Sequence, residues 1–161
     1  MRPELRLPPR DHERERLLAR ELEALEELLV SDREAAVARL DALAERTGHP
    51  CDETLVWAYA SNGEETLLGL ALPPTPRLRE ALTHDEQLEL VRAWWTCAGE
   101  AFDLYAETWF RRVLEANLAD PSSVPGATSP EDFLARALAQ PKPAGMPAPD
   151  SLGPQNEQQD S

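Results

Sequence analysis

The chain has 161 residues and a formal net charge of −14, from 30 Asp and Glu against 16 Lys and Arg. This excess of acid argues against binding to DNA, RNA or anionic lipid, all of which select cationic surfaces. Apolar residues make up 42% of the chain, enough for one domain with a hydrophobic core. The longest uncharged stretch, which begins at Thr66, is far too short to cross a bilayer.

The N-terminal part of the chain predicts an irregular segment followed by a helix. Residues 1–10 hold three prolines and three arginines among few apolar residues, which is typical of an irregular lead-in. Asp11 is placed to cap a helix over about 12–30. Leucines recur along that helix at spacings of four, three and four, which is the pattern of an amphipathic face: Leu18, Leu22, Leu25 and Leu29.

A second helix is predicted almost directly after the first. Ser31 and Glu34 have the spacing of a capping box, and Gly48 before Pro50 marks the end of the helix. Two helices with so short a joint are expected to form an antiparallel or sharply angled pair.

The segment from Asp52 to Leu72 permits two interpretations. Asn62 followed by glycine, between two apolar runs, is typical of a two-stranded β-hairpin over 54–72. However, the second run is built of Leu, Ala and Gly, a poor composition for a strand. Each run also begins with acidic residues, as the first turn of a helix does. We therefore favour two short helices, 53–61 and 64–72, over the hairpin.

The strongest helical signal follows a capping box formed by Thr83 and Glu86. Apolar residues recur every three or four positions without a change of phase at Gly99: Leu88, Val91, Trp95, Ala98, Phe102, Tyr105, Trp109 and Val113. The unbroken pattern predicts one continuous helix over about 84–118. A second apolar row widens its face, so we expect the other helices to surround it in a small, irregular all-α bundle.

Shorter segments complete the predicted organisation. Thr75 and the proline after it predict a short helix to Leu82, and Ser129 begins a last helix. The segment 141–161 contains five prolines and almost no apolar residues, so we expect a disordered tail. The chain is thus predicted to hold a single helical domain over 11–140.

Sequence motifs for catalysis, phosphate binding and zinc binding are absent from the chain. Cys51 and Cys97 each stand beside acidic residues, which disfavour a reactive thiolate. His49 and His84 each follow a glutamate by four residues, a spacing that chance supplies in so acidic a chain. We expect no catalytic residue, no cofactor and no metal ligand. Two cysteines without an export signal indicate a reducing cytoplasm.

The remaining candidates for function are acidic side chains and large aromatic rings. Adjacent aromatic residues project about 100° apart on a helix, so a small bundle is not expected to bury every ring. Exposed rings beside carboxylates would form a surface for a partner. The residues predicted to bind that partner are Glu23, Glu26, Glu27, Trp94, Glu100, Asp103, Glu107 and Phe110.

This pattern favours a non-catalytic protein-interaction module, acting as an inhibitor of the immunity-protein type or as an assembly or adaptor factor. A basic protein is one suitable partner, because opposite charge accelerates association. One alternative is an enzyme, or a small-ligand or metal-binding protein, with a pocket among Trp57, Trp95, Tyr105 and the histidines. Another is a structural homo-oligomer joined through the long helix.

Overall fold

The computed structural model describes residues 1–140, and every regular element in that range is helical. The α-helices are α1 (His12–Ser31), α2 (Arg33–Thr47), α3 (Glu53–Ser61), α4 (Gly63–Ala71), α5 (His84–Ala98), α6 (Leu104–Asn117) and α7 (Pro130–Ala139). Because these residues contain no strand, the predicted all-α class is confirmed and the β-hairpin over 54–72 is not supported. No described helix is long and apolar enough to span a membrane. The predicted disordered tail, 141–161, lies outside the described residues.

Side-chain caps set the ends of α1 and α2. Asp11 caps α1 as predicted, because its carboxylate accepts a backbone N–H of the first turn. The predicted capping box at Ser31 is wrong, since Ser31 is the last residue of α1. Asp32 caps α2 instead and accepts the N–H of Ala35, so one aspartate separates the two helices. Gly48 ends α2 with a φ of 74°, in the left-handed region that glycine adopts without a steric penalty.

The segment between α2 and α5 contains the predicted pair of short helices. Asp52 caps α3 by accepting the N–H of Leu55, and Asn62 is the single residue between α3 and α4. Both helices have acidic residues in their first turns, where the helix dipole favours negative charge.

The helix predicted from Thr75 to Leu82 is wrong, because this part of the chain is not helical. A side chain of α6 satisfies its backbone instead. Asn117 accepts the N–H of Leu78 at 3.3 Å and donates to the carbonyl of Pro76 at 3.3 Å. These two backbone groups are thereby paired without a local helix.

The single helix predicted over 84–118 is also wrong. This range instead contains two helices, α5 and α6, which a short link joins into an antiparallel pair. Asp103 begins α6 as its N-cap, and its own N–H donates to the carbonyl of Cys97 at the end of α5. Farther along the pair, the indole N–H of Trp94 lies 3.4 Å from a carboxylate oxygen of Glu107.

Buried apolar side chains form two core clusters, which α4 joins. The first core cluster lies among α1, α2 and α3, and the second lies among the N-terminal segment, α5, α6 and α7. Leu70 of α4 packs in the first cluster, whereas Leu68 and Leu72 pack in the second. Since residues two positions apart on a helix point about 200° from each other, Leu68 and Leu70 of this short helix face different clusters.

The segment predicted as an irregular lead-in, 1–10, is packed into the second core cluster. Leu5 is buried there, and the indole N–H of Trp109 donates to its carbonyl at 3.0 Å. The hydroxyl of Tyr105 donates to the carbonyl of Pro8 at 2.9 Å. The segment contains only one 3-10 turn. It nevertheless contributes a core side chain, and its carbonyls accept hydrogen bonds from two aromatic side chains of α6.

Candidate functional site

The predicted acidic residues of α1 lie together on one face of the helix. We call Glu23, Glu26 and Glu27 the acidic strip, because spacings of three and four residues place them side by side. Glu23 and Glu27 are exposed, and Glu26 is half-buried. No Lys, Arg or His nitrogen of the described chain lies within ion-pair distance of the three carboxylates. Val30, which is 82% exposed, continues the same face by one turn.

An aromatic residue of α3 borders the acidic strip. Tyr59 is half-buried, and partial burial raises the pKa of its hydroxyl; the neighbouring Glu23 carboxylate raises it further. The phenol therefore remains protonated at neutral pH and keeps a hydrogen-bond donor beside the carboxylates. Tyr59 and the acidic strip come from positions that are more than thirty residues apart in the sequence.

Two of the residues predicted to face a partner from α6 are buried instead. Glu107 is only 4% exposed, forms an ion pair with Arg111 and accepts the indole N–H of Trp94. Phe110 is buried in the second core cluster. The assumption that Glu107 and Phe110 lie on an outward face is therefore wrong, because α6 is covered by neighbours on more than one side.

The other predicted residues near the α5–α6 link have local roles or no described contact. The carboxylate of Asp103 accepts the N–H groups of Tyr105 and Ala106 as the N-cap of α6. Trp94 is half-buried, with its ring centroid 5.4 Å from that of Phe133. Glu100 is exposed in the link. Of the predicted set, the acidic strip alone forms a group of neighbouring, unpaired carboxylates on the described surface.

Both cysteines are free thiols in settings that oppose ionisation. Burial, with a contribution from the Glu107 carboxylate, raises the pKa of Cys97 to about 11. Burial likewise raises the pKa of Cys51, whose thiol lies 3.4 Å from the carbonyl of His49. At neutral pH both groups are therefore protonated. Within residues 1–140, no group of three or more His, Cys, Asp or Glu side chains is arranged to hold a metal ion.

The C-terminal carbonyls of α4 accept hydrogen bonds from three side chains on other elements. The bonds run from Arg112 Nη1 to Gly69 O (2.8 Å), from Arg14 Nε to Ala71 O (3.3 Å) and from His49 Nε2 to Leu72 O (2.5 Å). The last carbonyls of a helix have no partner within the helix, and α4 has no basic residue of its own in its last turn. Because a carbonyl only accepts, Nε2 of His49 must carry the ring proton, which leaves Nδ1 as an acceptor.

A cavity of about 450 Å³ opens beside these hydrogen bonds, and we call it the α4 cavity. It is lined by His49, Pro50, Leu55, Asn62, Glu65, Thr66, Gly69, Leu70 and Arg112. Burial lowers the pKa of His49, and the Arg112 charge lowers it further, so the imidazole is neutral at pH 7. Trp57, Trp95 and Tyr105, the rings of the alternative pocket hypothesis, do not line this cavity. The other two histidines of the chain, His12 and His84, are exposed at the starts of α1 and α5.

The sequence pattern does not single out Arg112 or Arg14, whereas Tyr59 belongs to the large aromatic rings that it offers as candidates for function. Gly69 was the one available signal, because a glycine inside a helical pattern marks a close approach by another group. A Cβ atom at that position would lie 2.5 Å from Nη2 of Arg112. The pattern does not reveal which arginine makes the approach.

Comparison with protein-family models, curated proteins and solved structures found no match for this chain. Over its described residues the protein is an acidic, all-helical chain. It carries the acidic strip on α1 and the α4 cavity, which polar and apolar residues line together.

Proposed function

We propose that this chain is a non-catalytic module that binds a basic protein through the acidic strip. The observation that carries the proposal is the lack of any described cationic partner for Glu23, Glu26 and Glu27, although nine other carboxylates form ion pairs. Like charges side by side on a helix destabilise it slightly, so the strip is unfavourable for folding alone. A cationic partner would remove that repulsion.

The neighbouring side chains suit such an interface. Tyr59 offers a hydroxyl beside Glu23, and tyrosine is among the residues enriched at protein interfaces. Val30 adds an exposed apolar group on the same helix face. With a net charge of −14, the chain would steer a cationic protein toward itself before contact. An inhibitor of a basic enzyme and an assembly factor for a basic subunit both fit this chemistry, and the free thiols suit the reducing cytoplasm expected for it.

A matched pair of charge-reversal variants tests the proposal. Glu23→Lys with Glu27→Lys reverses two exposed carboxylates one turn apart on α1. Asp41→Lys with Glu45→Lys makes the same change of charge at two exposed, unpaired positions one turn apart on α2. Lysine has a helix propensity similar to that of glutamate and better than that of aspartate, so both variants should fold. Circular dichroism provides the check on folding.

The measurement is capture of partners from the native host, followed by association kinetics with the captured protein. We expect the parent and the α2 variant to retain one stoichiometric basic protein, and the α1 variant to lose most of it. The association rate of the parent should fall at least about tenfold between low and high salt, with little change in the dissociation rate. Equal capture by both variants, or a salt-independent association rate, would contradict the proposal. A stable self-associated species without any partner would favour the homo-oligomer instead.

A further inference from the structure

The α4 cavity contains a guanidinium group with most of its hydrogen-bonding capacity unused. Arg112 is half-buried, and no carboxylate of residues 1–140 lies within ion-pair distance of it. Its single described hydrogen bond runs from Nη1 to the carbonyl of Gly69. A guanidinium has five N–H donors in a planar fork, so the bond that caps α4 occupies one of them.

The carboxylates around Arg112 lie outside ion-pair distance of its guanidinium. Burial lowers the pKa of the guanidinium, and the charge of Glu115 opposes that shift. The other titratable group beside it, His49, is neutral, and Arg14 and Arg112 both lower the pKa of that imidazole. Two arginines and a neutral histidine thus converge on one helix end, and a partly buried positive charge without a close counter-ion is unfavourable.

The walls of the cavity indicate what kind of anion would fit. Leu55, Leu70 and Pro50 supply an apolar wall, and Thr66 and Asn62 supply neutral polar groups. Glu65 also lines the cavity, and its charge would repel a dianion more than a monoanion. A volume of about 450 Å³ accommodates a small organic molecule, not merely an inorganic ion.

We propose that the α4 cavity binds a small organic monocarboxylate, with its carboxylate on the guanidinium of Arg112 and its apolar part against Leu55 and Leu70. The planar fork of an arginine matches a carboxylate through two parallel N–H···O bonds. Gly69 is the residue that makes room for this fork, because a Cβ there would lie 2.5 Å from Nη2. This site is independent of the acidic strip, so either proposal can fail without the other.

The direct test is titration of the full chain, labelled with ¹⁵N, with sodium acetate, sodium butyrate and inorganic phosphate at matched ionic strength. Butyrate should give saturable chemical-shift changes at the amides of Thr66 and Gly69 and at Nε–H of Arg112, with a Kd on the order of 1 mM. Acetate should bind more weakly, because its apolar part is a single methyl group. The absence of saturable butyrate changes up to about 100 mM, or equal changes with phosphate, would overturn the proposal.

Variants of the chain test whether the carboxylate is bound by the planar guanidinium of Arg112 or only by its positive charge. Arg112→Lys keeps the charge and should weaken butyrate binding at least about tenfold, because an ammonium cannot form the two parallel bonds. Arg79→Gln removes an exposed arginine that does not line the cavity, and it should leave the affinity unchanged. Gly69→Ala keeps Arg112 but displaces its fork, so it provides a second test if the lysine variant does not fold. Binding by both Arg112→Lys and Gly69→Ala with the affinity of the parent would overturn the assignment.

Discussion

Trp109 provides the most demanding test of how the described part of the chain is held together. Its side chain is 2% exposed, and its indole N–H donates to the carbonyl of Leu5. Burial of about 200 Å² of aromatic surface at about 25 cal/mol per Å² corresponds to roughly 5 kcal/mol. Measured truncations of buried aromatic residues to alanine cost about 3–5 kcal/mol. We therefore expect Trp109→Ala to lower the free energy of unfolding by about 3–5 kcal/mol, a large share of the stability of a domain this size.

Two other tryptophans provide comparisons for the free-energy cost expected at Trp109. Trp57 is 43% exposed on α3, so Trp57→Ala should cost less than about 1 kcal/mol. Trp95, which the sequence pattern places at the centre of the core, is half-buried, so Trp95→Ala should cost an intermediate amount. Urea unfolding followed by circular dichroism at 222 nm measures all three without relying on tryptophan fluorescence. A cost for Trp109→Ala at or below that for Trp57→Ala would refute the placement of α6 in the core.

The hydrogen bond to the N-terminal segment can be measured separately with a double-mutant cycle. Trp109→Phe removes the N–H donor and keeps an aromatic ring. It is compared in the full chain and in a chain that lacks residues 1–10. We expect a coupling free energy of about 0.5–1.5 kcal/mol, because the truncated chain has already lost the acceptor at Leu5. No coupling would mean that the segment 1–10 does not pack on Trp109.

Two further predictions concern local contacts. Arg2 holds the pKa of Glu86 at about 2, so the ion pair contributes stability above the ordinary pKa of 4.5 and loses it as the pH falls through about 2. A ¹³C NMR titration of the Glu86 carboxyl should show this low midpoint, and Arg2→Ala should raise it; a midpoint near 4.5 in the parent would exclude the contact. Gly48→Ala should lower the free energy of unfolding by at least about 1 kcal/mol, since φ is 74° and a Cβ would lie 2.9 Å from Pro74 Cγ. Chemical denaturation that shows no loss would contradict the left-handed end of α2.

The sequence predicted those features that depend on neighbouring residues. The caps at Asp11, Thr83 and Ser129 are local hydrogen bonds between positions three residues apart, and all three are present. The leucines of α1 face one core cluster, so their spacing reports directly which side is buried. Glu23 and Glu27 are exposed for the same reason, since they lie on the side away from those leucines, whereas Glu26 flanks the leucine face and is half-buried.

The α4 cavity depends on contacts that no local pattern contains. The donors to the end of α4 come from positions separated from their acceptors by 23, 43 and 57 residues. An arginine on a polar helix face has the same sequence pattern whether it meets solvent or the end of another helix. The burial of Glu107 could not be predicted for the same reason, because the pattern of α6 does not reveal that Trp94 and Arg111 contact its carboxylate.

The break within 84–118 shows how the size of a domain limits what periodicity can predict. A continuous helix over that range would be about 50 Å long, at about 1.5 Å per residue. A domain of about 140 residues is only about 35–40 Å across, so the ends of such a helix would project into solvent. Its two apolar rows would then lack partners, whereas folding back as α5 and α6 lets each helix cover the other and leaves an outer face for α7 and the N-terminal segment. Phe102, which the apolar pattern assigns to the core, is 61% exposed in the link, because the chain must reverse there and the ring cannot follow either helix into the cluster.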